Sequence, residues 1–253
     1  MPKPKTVSHV VEVDRVEDLR NLPKNVNEAV VNGIKYKRHE SYDGGTYWAA
    51  KDVNIPKSAE IQIHKDVIIG PKVELSEGID SEGIKIGMGS TIGAGTKIGP
   101  GTAIGESVNI GENCEIGEEV VIGNEVKLSK GIKIGMQTTI DSDSKIGPGT
   151  AIGESVNIGE NCEIGIGKKV VTDENKVVIG DGVQIDDHVI IENGSRIGDR
   201  AYIGKNATIK EDSKMGEEGR VEPGEYYHKT DPERKEEKYL RKEFKEDLKL
   251  FKR

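Results

Sequence analysis

The sequence is poor in the residues from which a layered globular core is usually built. Aromatic residues make up 4% of the 253 positions, and apolar residues of all kinds only 34%. A broad core of stacked sheets or helices would require more large side chains, so the core of this chain is expected to be narrow or highly regular. Two cysteines do not make a disulfide framework. No run is long and apolar enough to span a membrane, and the opening MPKPKTVSHVVEV lacks the small-residue cleavage pattern of an export signal. The expectation is a cytoplasmic protein with no membrane partner.

Basic surface is also missing. The net charge is −8, and 53–230 carry about −11 once the slightly basic ends are set aside. An acidic body argues against nucleic acid as a partner, because neutralising phosphates needs a basic face. A solvated Lys- and Glu-rich surface accounts for the charge.

Glycine, in contrast, is abundant at 32 residues, and it is placed periodically. Aliphatic residues recur every six positions without a break from Ile86 to Ile164, with Leu128 standing in once. A second run extends from Ile179 through Met215 to Val221, and a looser one uses Ile55, Ile63, Ile69 and Leu75. Glycine usually follows the aliphatic residue, and a small or β-branched residue lies four positions after it, as at Thr96, Thr102 and Cys114. A short strand turns alternate side chains inward, so the aliphatic residue and the one two before it share a core. The two positions between strands form a turn, whose second position favours residues that tolerate positive φ. That position holds Gly95, Gly101, Asn113, Asp143, Gly149, Asn161, Gly182, Gly194 and Asn206. Pro100-Gly101, Pro148-Gly149 and Pro223-Gly224 suit type II turns. Glycine and β-branched residues at this density exclude a helix.

The pattern aliphatic–Gly–x–x–small–x resembles the hexapeptide repeat of the left-handed parallel β-helix proteins, a superfamily of many acyltransferases, the γ-class carbonic anhydrases and several non-catalytic members. The resemblance covers about two-thirds of the chain. It implies an all-β fold of about nine triangular coils, three hexads to a coil, and a homotrimer with ligand sites between subunits. It says little about activity. The expected organisation is an N-terminal cap with a β-hairpin over 1–52, the β-helix over 53–225, and a C-terminal amphipathic α-helix over 226–253.

Within the repeat, 83–117 recur at 131–165 with 29 of 35 residues identical. The offset of 48 residues is eight hexads, or two coils and two-thirds of a third. Each copied side chain should therefore reappear on a different face of the prism. Such a copy lengthens a rod without duplicating a site. Cys114 and Cys162, copies of each other, belong to the inward small slot and are expected to be buried, unbridged thiols.

Chemistry is sparse. The coils contain only His64 and His188, which excludes a three-histidine metal site of the carbonic anhydrase kind, so no metal is expected. His188, beside Asp186 and Asp187, is the one candidate general base for an acyl transfer. It also occupies the positive-φ turn slot, where histidine is tolerated for structural reasons. His64 replaces the usual post-aliphatic glycine. Two interruptions, EGIDS at 77–81 and the segment 166–178 with Lys168 and Lys169, read as loops, the second as a small hairpin around Asp173-Glu174-Asn175.

At the ends, EAVVNGIKYKRHE reads as a hairpin with Asn32-Gly33 in a type I′ turn, and DRVEDLRNLPKN as holding a short helix. Lys37, Arg38, His39, Tyr42, Tyr47 and Trp48 crowd together, either as a plug for the open end of the rod or as a small-ligand platform. Over 231–251, Leu240, Phe244, Leu248 and Phe251 form one apolar helical stripe. The function expected is a non-catalytic homotrimeric scaffold that binds or sequesters a small, nucleotide-like ligand without a cofactor. The alternative is a CoA-dependent acyltransferase using His188. An ice-binding face is disfavoured because the threonines form no regular ranks.

Overall fold

The computed structural model describes residues 10–56, 61–76, 78, 83–166 and 176–228. Between Gln62 and Tyr227 it contains 26 two-residue strands, each ending on the aliphatic residue of a hexad or its equivalent. Every strand pairs in parallel with the strand one coil on, and the strands fall into three ladders. Face A holds Ile68–Ile69 and every third strand to Tyr226–Tyr227; face B starts at Glu74–Leu75, and face C at Gln62–Ile63. The protein is a left-handed parallel β-helix of nearly nine coils, about 40 Å long at one inter-strand spacing per coil.

The core is a column of isoleucines. Ile86, Ile98, Ile140, Ile146 and Ile203 have no exposed surface, and the small slot is equally closed at Cys114, Val120, Ile132 and Cys162. Where that slot holds a hydroxyl, it is satisfied, along the axis at Ser90, Thr96, Thr102, Thr138, Ser144 and Ser195 and by the Gly147 carbonyl of its own turn at Thr150. Thr102 Oγ1 donates to the Gly117 carbonyl at 3.0 Å, and Ser90 Oγ donates to Gly105 at 2.9 Å while accepting the Val108 N–H at 3.0 Å. The burial cost of these polar groups is thereby removed.

Glycine is required for two separate reasons. At the second turn position φ is positive, as at Gly101 (69°). At the position after the aliphatic residue coils approach too closely for a side chain: a Cβ on Gly99 would lie 2.5 Å from the Gly117 carbonyl.

Four longer strands build the cap: β1 (Val10–Val13), β2 (Glu28–Val31), β3 (Ile34–Glu40) and β4 (Thr46–Ala50). The expected hairpin joins β2 and β3, with Asn32 and Gly33 both at positive φ (50° and 79°). The expected short helix is a 3-10 turn, Val16–Asn21. The cap is not a separate lid. Strand β4 pairs in parallel with Ile68–Ile69 and so forms a rung of face A. Its Tyr47 and Ala49 enter the core of the rod, while Trp48 and Ala50 join a second cluster around Leu19.

Both interruptions leave the pairing intact. Ile69 pairs with Ile92 and Ile164 with Ile191, so the face A ladder continues across both. The body of each interruption, Lys168 and Lys169 included, lies outside the described residues. The boundary expected at 225 moves, because Tyr226–Tyr227 pairs with Thr208–Ile209 as a last rung of face A. The expected C-terminal helix beyond it falls outside the described residues.

Candidate functional site

Two places gather polar chemistry. The first is the cap, where the period of two along a strand divides the six candidate residues. Arg38 and Trp48 lie on one side. Trp48 is 2% exposed, and the Arg38 guanidinium covers its ring at 4.7 Å. The same guanidinium donates to the carbonyls of Leu22 and Pro23, both at 2.9 Å. This pair ties the hairpin to the segment after the 3-10 turn, and its ring face is already occupied. On the other side His39 stacks on Tyr47 with centroids 5.1 Å apart and planes 15° from parallel. A shallow groove beside them is lined by Glu28, Lys37, His39, Ala50, Lys51 and Val53. Lys51 pairs with Glu28 at 3.0 Å. Burial, followed by the nearby Lys37, pushes the His39 imidazole below its ordinary pKa and favours its neutral form. The groove thus offers the Lys37 ammonium, an ion pair between Lys51 and Glu28, and a ring whose neutral form is favoured.

Tyr42 belongs to neither side. It is 65% exposed at the β3–β4 loop, with its ring centroid 5.7 Å from that of His64. His64 Nδ1 lies 3.7 Å from Asp43, whose carboxylate accepts the Ser41 hydroxyl at 2.6 Å and the Lys65 N–H at 3.0 Å. The Ser41 hydrogen bond, more than any other partner, holds the Asp43 carboxyl below its usual range. Sequence reasoning set His64 aside. The 20 residues between it and Asp43 carry no periodic signal, and only the docking of the hairpin loop on the first coil brings them together.

The second place is the corner between faces C and A that carries His188. Its φ is 58°, so histidine does occupy the left-handed turn position. Its neighbours face other partners. Asp186 accepts the Tyr202 hydroxyl at 2.5 Å, while Asp187 accepts the Glu160 N–H at 3.2 Å and pairs with Lys205 at 3.1 Å. Lys205, through its hydrogen bond, lowers the Asp187 pKa more than any other group. Among the described residues no side-chain hydrogen bond orients the exposed His188 ring. Nor does any group of three or more His, Cys, Asp or Glu converge on a metal-sized site among them.

Comparison with known families turns on the coils. Residues 95–130 match the family described as bacterial transferase hexapeptide (six repeats), and 134–229 match the GMPPB C-terminal domain. Both matches fall on the coils, whose fold is the left-handed β-helix built on the hexapeptide repeat.

No curated protein matches this hexapeptide-repeat protein in sequence. Among solved structures, the UDP-N-acetylglucosamine acyltransferase of Francisella novicida is 19% identical with a TM-score of 0.41, over 66% of this chain and 62% of that one. The Campylobacter jejuni enzyme of the same name gives 20% and 0.29, over 72% and 68%. The Arabidopsis one gives 15% and 0.29, over 69% and 70%. Superpositions this loose carry no argument about activity. No helix among the described residues is long and apolar enough to cross a membrane.

Proposed function

We propose that this hexapeptide-repeat protein is a non-catalytic, homotrimeric rod that holds a small anionic ligand, nucleotide-like in having a flat ring and a charged group, at its cap groove. The observation that carries the reading is the placement of the internal copy. Lys97–Ile98 stand on face B, whereas their duplicates Lys145–Ile146 stand on face A. A reaction site belongs to one face and one subunit edge, so a copy rotated by one face extends the rod without repeating a site. The unoriented His188 ring and the neutral-leaning His39 in a cationic groove fit the same reading.

A second reading is a CoA-dependent acyl transfer with His188 as general base. It is favoured by the exposure of that imidazole next in sequence to two anchored carboxylates and by the transferase description of the matching repeat. A thermal-shift series against acyl-CoAs and free nucleotides, with the oligomer mass measured in parallel, separates the two. The scaffold reading expects nucleotides to raise Tm and Lys37→Ala with His39→Ala to abolish the shift, in a particle of three chains. Stabilisation by acyl-CoA alone, with acyl transfer lost in His188→Ala, would establish the enzyme instead.

A further inference from the structure

The three sides of the rod differ in what they could hold against them. Face A is obstructed at its lower end. Ile68 points outward there yet is 1% exposed, because it packs in the cap cluster with Leu19 and Trp48. The 3-10 turn of the cap reaches the corner between faces C and A, where Arg20 bonds the Asp66 and Gly89 carbonyls. Face B alternates charge along its lower rungs, with Glu74 paired to Lys97 at 3.5 Å and Glu115 to Lys133 at 2.9 Å. On face C the outward positions from Ala103 through Val121, Thr139, Asn157 and Gln184 to Tyr202 are consecutive rungs, and none is charged. Val121 is 46% exposed, and Met136, at the corner between faces B and C, is 40% exposed. An uncharged ladder with exposed apolar side chains on a strongly charged protein suits burial in an interface.

We infer that, in the homotrimeric rod proposed above and resting on that reading, face C of each copy receives the corner between faces B and C of the next copy. Symmetry restricts the choice. In a ring of three parallel rods the two neighbours of each rod lie about 60° apart, the angle between a corner of a triangular prism and either face beside it. Each contact is therefore a corner on a face, and rotation about an axis parallel to the rods leaves heights unchanged. Contacts through face A, or through the corner between C and A, run into the cap. On face B, the corner between A and B would bring Lys130 to the height of Lys133 and Glu112 to that of Glu115. The corner between B and C would set Glu118 and Glu119 against Glu115 on that face. Both arrangements oppose like charges. The same corner on face C opposes none between Ala103 and Tyr202. It sets Met136 at the height of Thr139, one rung above Val121. It also sets the Glu154 and Asp181 carboxylates at the heights of the Asn157 and Gln184 amides, which can donate to them. Arg200, which also stands on that corner, is already held by Glu217 and Glu218.

The test is the mass of the full chain and of four single variants by sedimentation equilibrium, with circular dichroism to show that the coils are intact. The parent is expected at three chains. Val121→Glu puts a carboxylate at the height of the neighbour's Glu118 and Glu119 and is expected to weaken assembly by about tenfold or more. Val121→Lys, as polar and as bulky but of the opposite sign, is expected to keep or strengthen it. Met136→Glu, on the other side of the same contact, is expected to weaken assembly too. Lys127→Glu, which makes face A more acidic, is expected to leave the trimer intact. A parent that is not a trimer would overturn the homotrimeric reading, and this inference with it. A trimer that withstands Val121→Glu and Met136→Glu would overturn the inference alone. Equal loss with Val121→Lys, or dissociation by Lys127→Glu, would do the same.

Discussion

At the scale of single residues, the turn position tolerates more than conformational preference would suggest. Ser107 (56°), Glu119 (54°), Glu125 (58°) and Arg200 (55°) all adopt the left-handed conformation that glycine or asparagine holds elsewhere. Strand pairing on both sides of each turn imposes that conformation, and each non-glycine residue there stores about 1–2 kcal/mol. Glu125→Gly is therefore expected to raise stability by up to about 1 kcal/mol in urea unfolding, once the added freedom of the unfolded chain is subtracted. Gly99→Ala should move the other way by about 1–3 kcal/mol, because its Cβ meets the backbone of the next coil. The positive-φ slot is legible from Pro100-Gly101 and Asn113 alone. The close-approach slot is not, since the atom that forbids a side chain belongs to Gly117, eighteen residues on. The cysteines follow their slot. Burial pushes the Cys162 thiol up to about 11 and raises that of Cys114 as well. Both should resist a thiol reagent at pH 8 in the folded protein and react fully in denaturant.

At the scale of elements, the cap is held by a few long-range contacts that the sequence does not announce. Arg20, on the 3-10 turn, donates to the Asp66 carbonyl at 2.7 Å, the Gly89 carbonyl at 2.8 Å and Thr91 Oγ1 at 2.8 Å, and so joins the turn to two successive coils. Arg20→Met retains most of the stem and removes these bonds. It is expected to cost about 1.5–3 kcal/mol, with hydrogen exchange accelerating first in 16–21. The His39 imidazole provides a pH dependence with a definite sign. Its folded pKa lies below the unfolded value, so the unfolded chain binds the extra proton. The stabilisation is complete above the ordinary histidine pKa and is lost as pH falls through the depressed folded value. Tm followed from pH 8 to pH 5 should decline, and His39→Gln should flatten the decline. The hairpin was readable from Asn32-Gly33, a local signal. The division of the aromatic cluster was not, because which side of β3 faces the rod depends on β4 pairing with Ile68–Ile69.

At the scale of the whole molecule, the hexad is the unit of length and the coil is not. An insertion of eight hexads preserves strand pairing, core and turns while rotating everything after it by one face. Deleting 97–144 joins Thr96 to Lys145 with the period unbroken. The shortened chain is expected to fold cooperatively, to retain its β signature in circular dichroism, and to be about 13 Å shorter in solution scattering at one strand spacing per coil. Aggregation of this variant would show that the relative rotation of the two ends is itself required.

The six-residue period determined the architecture by itself, because each hexad contacts only its neighbours one coil away and repeats the same local decisions about turn, strand and inward slot. It also determined the rotation of the copy, which is arithmetic on 48 and 18. Only the tertiary structure decided which polar groups meet. Whether Trp48 is a platform or a buried brace, whether His64 finds Asp43, and whether Asp186 bonds His188 or Tyr202 all depend on contacts between coils or between cap and coil. Such contacts are set by stacking geometry and leave no periodic trace in the chain.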